Sequence, residues 1–214
     1  MTSNASKMTD AEALLRVTTF FSEIGLPWRW KPGARGFAQG VEISQGVLNI
    51  DRVALASVAL HEAGHVCILP EEVRPHADGN LHQAIEMMFE AVADLDADSP
   101  AMRAALQSGD PEATAWAWAA GVHLDLPPDL IIRDEEFEGE GRFIRMQLDA
   151  KAWPGINGLV HAGWCAPRAG VLADHMGLPA YPKLARWLQD DFGLVPHVEH
   201  FRPGLEFAAE HPVG

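Results

Sequence analysis

The chain is short of the residues on which several classes of protein depend. Two of its 214 residues are cysteines, too few for a disulfide framework, which favours a reducing compartment. Lysine and arginine number 16 against 30 acidic residues, and the formal net charge of −14 disfavours direct nucleic-acid binding, because phosphate contacts require clustered basic residues. No apolar run approaches the ~20 residues of a membrane span, and the N-terminus lacks the apolar core of a signal peptide. We therefore expect a cytoplasmic protein that binds neither nucleic acid nor membrane.

Apolar residues are plentiful enough to build a substantial core. They make up 48% of the chain, and 214 residues suit one domain with an extension or two small domains. The segment Asp134–Gly141 is acidic and contains glycine, a composition typical of a boundary. We expect a core over residues 1–135 and a C-terminal extension, of unknown role, over residues 136–214.

The motif His-Glu-x-x-His occurs at residues 61–65. Residues four apart lie one above the other on a helix, so His61 and His65 place two imidazoles at a spacing that suits one Zn²⁺ ion. In metalloproteases the glutamate of this motif, here Glu62, passes a proton from water to the leaving amine. The alternative is two core histidines whose nitrogens are satisfied by hydrogen bonds.

The sequence around the motif predicts a buried helix with Asp51 as its N-cap. Within residues 53–69, Ser57, His61 and His65 recur at intervals of four and form a polar line on an apolar surface. Burying such a line costs free energy unless partners are present, and a metal ion would satisfy the histidines. The context therefore favours a metal site over a pair of core histidines.

Hydrophobic spacing and turn signals predict an α+β fold. The predicted elements are a helix over Thr9–Ile24; a hairpin of Phe37–Ile43 and Val47–Ile50; helices over Leu81–Ala97, Ala101–Gln107 and Glu112–His123, the last with Asp110 as N-cap; a strand over Arg142–Leu148; a loop over Lys151–Gly163; weak helices over Ala169–Met176 and Lys183–Gln189; and a tail over Pro196–Gly214.

A zinc hydrolase needs a third protein ligand, and two glutamates compete for that place. Glu90 opens Glu90-Ala-Val-Ala-Asp94, which resembles the Glu-x-x-x-Asp of thermolysin-like gluzincins. However, Glu90 lies about 150° from the apolar face of its helix, in line with other acidic residues, so it is expected to face water.

Glu112 opens the second candidate, Glu112-x-x-Ala115-x-x-Trp118-Ala119-Ala120. Together with the motif at residue 61, this resembles the ImmA/IrrE family of zincin-like metallopeptidases, whose second motif is Glu-x-x-Ala-x-x-Phe-Ala-Ala. The resemblance spans roughly residues 37–128. It implies a zincin-like fold, in which a small antiparallel sheet or hairpin packs on the motif helix and the third-ligand helix, and a Zn²⁺ held by His61, His65 and Glu112. Otherwise Glu112 is a first-turn glutamate that complements the helix dipole.

The expected function is that of a zinc metallopeptidase in which Glu62 is the catalytic residue. The resemblance implies selectivity for one partner protein, and the charge of −14 favours a basic partner such as a regulator of transcription. The alternative is a catalytically silent zincin-fold module that binds a partner or senses metal.

Four further residues are candidates with weaker signals. His161 and Cys165 are four apart, but the glycines around them favour a structural pair over a metal site. Tyr181, the single tyrosine of the chain, and His123 are candidates for stabilising an oxyanion.

Overall fold

The computed structural model describes residues 8–79 and 81–194, and its fold is α+β. The tail predicted over Pro196–Gly214 lies outside the described residues. The helices and strands are α1 (Asp10–Glu23), β1 (Trp28–Trp30), β2 (Val41–Ser44), β3 (Val47–Ile50), α2 (Ala56–Ile68), α3 (His82–Val92), α4 (Pro100–Leu106), α5 (Asp110–His123), α6 (Pro128–Ile131), α7 (Gly141–Asp149), α8 (Pro154–His161) and α9 (Val171–Met176), with 3-10 turns at Arg74–His76 and Phe137–Gly139. In the described part of the chain, no helix is long and apolar enough to cross a membrane.

The sheet has three strands in the order β1-β3-β2 and mixes two pairing directions. β2 and β3 form the predicted hairpin, which turns through Gln45 and Gly46 at φ 51° and 72°, the pair of positive values that a tight hairpin turn requires. β1 was not predicted and pairs parallel to β3, with Trp28 opposite Leu48. The predicted hairpin is therefore confirmed, and β1 makes the sheet mixed where an antiparallel sheet or hairpin was expected.

The start of the motif helix differs from the prediction. α2 begins at Ala56 with Leu55 as its N-cap. The carboxylate of Asp51 accepts hydrogen bonds from the backbone N–H groups of Gly33 and Val53 instead. Asp51 is thus a turn residue that joins the loop before β2 to the turn before α2. In α5, the predicted N-cap Asp110 is the first helical residue and Gly109 is the cap.

Three predictions in the C-terminal part are wrong. Residues 142–148 belong to helix α7, and the predicted loop over 151–163 contains α8. No helix forms over residues 183–189. α8 forms despite its glycines because Gly155 and Gly158 let it approach α5 closely: a Cβ built on either would overlap Pro111 or Glu112.

α2 and α5 form the centre of the molecule and pack in close contact. Gly64, inside the motif, makes this possible, since a Cβ at that position would lie 2.5 Å from the carbonyl oxygen of Ala113. Buried apolar residues from both sides of position 135, among them Leu60, Trp116 and Leu159, belong to one continuous core. The segment after residue 135 therefore packs on the motif helices and has no separate core in the described chain.

Candidate metal centre

His61 and His65 project from the same face of α2, as the spacing predicted. Their Nε2 atoms lie 3.2 Å apart, and their rings meet edge to face at 89° with centroids separated by 4.8 Å. This distance suits a hydrogen bond between the two rings, and it also suits two ligands of one metal ion.

The third member of the group is Asp110, at the first position of α5. Its Oδ1 atom lies 3.2 Å from His61 Nε2 and 3.5 Å from His65 Nε2. Among the described residues, the potential metal-ligating atoms of His61, His65 and Asp110 form a group in which all lie within 4.8 Å of one another. The packing of α5 on α2 thus carries a carboxylate to the histidine pair.

The three atoms fit the coordination geometry of zinc. Nitrogen and oxygen ligands bind Zn²⁺ at about 2.0–2.1 Å in a tetrahedron, which places ligand atoms about 3.3 Å from one another. The observed separations of 3.2, 3.2 and 3.5 Å match that edge length. Two histidines and one carboxylate also form a donor set that Zn²⁺ accepts with a fourth position open. The residues present therefore fit the ion that the motif implies.

The carboxylate is held in its charged form and remains accessible. Hydrogen bonds from His61 and His65 keep the pKa of Asp110 well below its usual range. Its side chain is 58% exposed, against 23% for His61 and 17% for His65. An ionised ligand on an open side leaves room for water or a substrate group.

Glu62 lies next to this group in a different environment. Its side chain is buried, and burial raises the pKa of its carboxyl group, opposed by the charges of His65 and His61. A carboxylate that is poorly solvated and close to the open side is suited to accept and return a proton.

Glu112, predicted as the third ligand, is absent from the histidine group. It is buried under α8, where a Cβ on Gly158 would overlap its carboxylate. Burial raises the pKa of Glu112, while hydrogen bonds from the backbone N–H groups of Glu112 and Gly109 oppose the rise. The carboxylate thus caps the start of α5, close to the helix-dipole alternative. The competing candidate, Glu90, is exposed on α3.

Helix geometry explains why Asp110, and not Glu112, lies beside the histidine pair. Successive residues turn by 100°, so the two side chains point about 200° apart on α5. Ala113 contacts Gly64 of α2, and Asp110, three residues earlier, shares its face. The sequence held a signal for this, because Asp110-x-x-Ala113-x-x-Trp116-Ala117 repeats the second-motif spacing two residues earlier, with Asp in place of Glu.

Ser57, the first residue of the polar line, has a protein partner. Its hydroxyl donates a 2.6 Å hydrogen bond to Oε1 of Glu136, in the segment that follows α6. The polar line therefore divides into a histidine pair that faces Asp110 and a serine that anchors the loop beside the site.

A cleft runs across the histidine group and has two lobes. The first lobe, of about 260 Å³, is lined by Phe37, Ala38, Ser57, Val58, His61, Glu62, Asp110, Glu136 and Phe137. The second, of about 410 Å³, is lined by Phe37, His61, Glu62, His65, Gly79, Leu81 and Asp110. Both lobes are lined by Phe37, His61, Glu62 and Asp110, whereas His65 lines the second lobe alone. An extended ligand that crosses the histidine group would therefore occupy both lobes.

The remaining candidates lie elsewhere. Tyr181 is buried and its hydroxyl donates a hydrogen bond to the carbonyl of Ala115. Tyr181 and His123 line a separate cavity of about 860 Å³ at the far end of α5, so neither faces the histidine pair. Cys165 is a buried free thiol, its pKa raised to about 12 by burial, and His161 is exposed.

Comparisons of the chain with protein-family models, with curated proteins and with solved structures give no match.

Proposed function

We propose that the protein is a zinc metallopeptidase whose metal is held by His61, His65 and Asp110. The observation that carries the proposal is the triangle of ligand atoms at 3.2–3.5 Å on a helix that also carries Glu62. In the alternative without a metal, Asp110 is hydrogen-bonded to both imidazoles. This alternative accounts for the short distances from Asp110 to the two histidines but gives no role to the buried Glu62 or to the cleft.

Zinc bound there would supply Lewis acidity, which polarises the carbonyl of the scissile bond and makes water a stronger acid. Glu62 accepts the proton of the attacking water and donates it to the leaving amine. Asp110 and the two histidines provide one negative charge and two neutral nitrogens and leave the exposed side of the site for substrate.

The spacing of both motifs supports a place in the ImmA/IrrE-like zincin metallopeptidases. In the register that the structure favours, the second motif begins at Asp110, and its alanine, Ala113, packs on Gly64 of the first motif. In this register the third ligand is Asp110, two residues before the Glu112 that the resemblance implied and in the same first turn of α5.

The substrate we propose is a segment of a protein partner in extended conformation. In the described chain β2 pairs with β3 alone and forms one edge of the sheet, and an exposed edge aligns an extended peptide by adding it as a strand. The net charge of −14 favours a basic partner such as a DNA-binding regulator, met in the cytoplasm.

The rival from another class is a module that binds metal or a partner and cleaves nothing. Glu62 discriminates between the two because it is not a metal ligand in the proposed site. Glu62→Gln should retain zinc and lose about 10²- to 10⁴-fold in turnover, the usual contribution of a general acid–base group. Zinc content and cleavage rate of purified wild type and variant measure both quantities.

The matched control is Glu90→Gln, an exposed glutamate on α3, which should change neither quantity. A wild-type protein that binds zinc but cleaves none of its binding partners, together with an unaltered phenotype for Glu62→Gln in cells, would establish the binding module instead.

A further inference from the structure

We propose that the smaller lobe of the cleft is a specificity subsite that takes an apolar side chain of the substrate beside the scissile bond, and that Phe137 is its specificity-determining residue. The inference rests on the proposed function for the identity of its occupant. It rests on separate observations for the existence and chemistry of the pocket.

The lobe of about 260 Å³ opens directly onto the reacting groups. His61, Glu62 and Asp110 belong to its lining, so a side chain that enters the lobe belongs to a residue next to the bond at the metal centre. The apolar part of the lining is Phe37, Ala38, Val58 and Phe137, and the remaining lining residues, Ser57 and Glu136, are hydrogen-bonded to each other. Because four apolar residues and three carboxylates line it, the lobe favours an aliphatic or aromatic side chain over an acidic one.

Phe137 is held against the site by a specific contact and an unusual backbone. Its ring meets the ring of His61 edge to face, at a centroid distance of 5.5 Å and an interplanar angle of 82°. Phe137, Glu138 and Gly139 have φ values of 54°, 59° and 91°. Positive φ is unfavourable for phenylalanine and glutamate, and such conformations persist where the surroundings fix them.

Glu136 is the positioning residue that fixes this backbone. Its carboxylate accepts hydrogen bonds from the Ser57 hydroxyl at 2.6 Å and from the Arg133 backbone N–H at 2.8 Å. Its carbonyl oxygen accepts from the N–H groups of Gly139 and Gly141, both at 3.1 Å. Because Ser57 precedes His61 by one helical turn, Glu136 ties the loop to the motif helix itself.

Two ion pairs secure the same segment from the other side. Arg133 binds Asp10 of α1, and Arg145 of α7 binds Asp134. Exposed pairs contribute little stability, but together with Glu136 they hold the loop at several points. The subsite is therefore largely formed before substrate arrives, and removing the Phe137 ring should change selectivity without changing the metal ligands.

The first test maps cleavage by the full-length, zinc-loaded protein on a mixture of synthetic peptides that samples all residue pairs, with products identified by mass spectrometry. We expect cleavage next to leucine, isoleucine, methionine or phenylalanine to exceed cleavage next to aspartate at least about tenfold. Differences of this size are usual when a pocket accepts one side chain and excludes another. Phe137→Ala should lose most of that preference with unchanged zinc content. The control Phe143→Ala, on the exposed surface of α7, should keep it.

Glu136 gives a test of positioning that does not remove the ring. Glu136→Ala should reduce the side-chain preference as Phe137→Ala does, while Glu136→Gln, which still accepts a hydrogen bond, should restore part of it. Equal preference in wild type, Phe137→Ala and Glu136→Ala would overturn the proposal.

The second test needs neither metal nor turnover, so it separates the subsite from the proposed function. In full-length protein with labelled methyl groups, N-acetyl-leucine amide should shift the NMR signals of Val58 and Ala38 saturably, and N-acetyl-aspartic acid amide should not. These shifts without zinc binding or cleavage would retain the subsite and refute the peptidase. Cleavage without side-chain preference, and without these shifts, would refute the subsite and retain the peptidase.

Discussion

Asp110 and Glu112 lie two residues apart in α5 and have different chemistry because the helix turns them to nearly opposite sides. Asp110 is half-exposed and hydrogen-bonded to two imidazoles, which lower its pKa. Glu112 is buried against α8, and burial raises its pKa. A metal ligand must be ionised, and the first environment favours that form whereas the second opposes it.

Tyr181 is predicted to stabilise the fold and to take no part in the proposed reaction. Its hydroxyl donates to the Ala115 carbonyl at 2.9 Å, and Tyr181 lines a cavity separate from the lobes at the histidine pair. Tyr181→Phe should therefore leave the cleavage rate and zinc content unchanged and lower the free energy of unfolding by about 1 kcal/mol, the usual net value of one hydrogen bond. Urea unfolding and a cleavage assay on the same preparation measure both.

A large loss of cleavage in Tyr181→Phe, with stability and zinc content intact, would show that the phenol reaches the reacting groups. Tyr181→Leu offers a useful comparison: it also removes the buried ring, so it should cost more stability than the phenylalanine variant while activity again persists in the folded fraction.

The sequence predicts some site residues better than others for a physical reason. His61, Glu62 and His65 share one helix, where spacing alone determines their relative placement. Asp110 comes from another element, so its place depends on the rotation of α5 against α2. That rotation is set by tertiary contacts such as Gly64 on Ala113. The second-motif pattern fits the sequence of α5 with either Asp110 or Glu112 as its first residue. The packing of Ala113 on Gly64 favours the start at Asp110.

At the scale of elements, the α2–α5 contact positions the candidate metal centre. The two histidines come from α2 and the carboxylate from the first turn of α5, so the distance between the helices sets the distance between ligands. Gly64 sits where the two backbones approach closely, since a Cβ there would lie 2.5 Å from the carbonyl oxygen of Ala113.

Gly64→Ala should therefore separate the helices and weaken the site. We expect a loss of about 1–3 kcal/mol in stability, as for overpacked cores, and at least about tenfold weaker zinc binding, as when ligand-orienting contacts are lost. Gly79→Ala is the matched control because a Cβ there meets no atom nearer than 4.0 Å. Chemical unfolding and a zinc competition titration provide the two readouts, and wild-type zinc affinity in Gly64→Ala would contradict this account of the helix contact.

Prediction succeeds for elements with local signals and fails where tertiary contacts decide. α1 has a capping box, with Thr9 and Glu12 hydrogen-bonded to each other's backbone, and it was predicted. α8 has Gly155 and Gly158 in its first turns, which favour a loop locally, yet both glycines face α5 and permit its approach. In α7 a strand was predicted over Arg142–Leu148, but the buried Ile144 and Leu148 follow a helical interval of four.

At the scale of the whole molecule, the net charge of −14 has a consequence for the choice of partner. Long-range attraction should speed the encounter with a basic protein and weaken with salt, because the Debye length falls from about 10 Å at 0.1 M to about 3 Å at 1 M. We predict salt-sensitive cleavage of a small basic regulator and little activity on casein. Rapid digestion of casein that chelation abolishes would contradict the selectivity and leave the zinc site intact.

The zinc affinity of the purified protein, compared among wild type, Asp110→Ala and Glu112→Gln, tests the proposed metal site most directly. Wild type should bind about one zinc per chain, Asp110→Ala should bind it at least about tenfold more weakly, and Glu112→Gln should bind as wild type does. A His61→Ala, His65→Ala double variant supplies the baseline without a site. Full affinity in Asp110→Ala, or a loss confined to Glu112→Gln, would contradict the assignment of Asp110 as the third ligand.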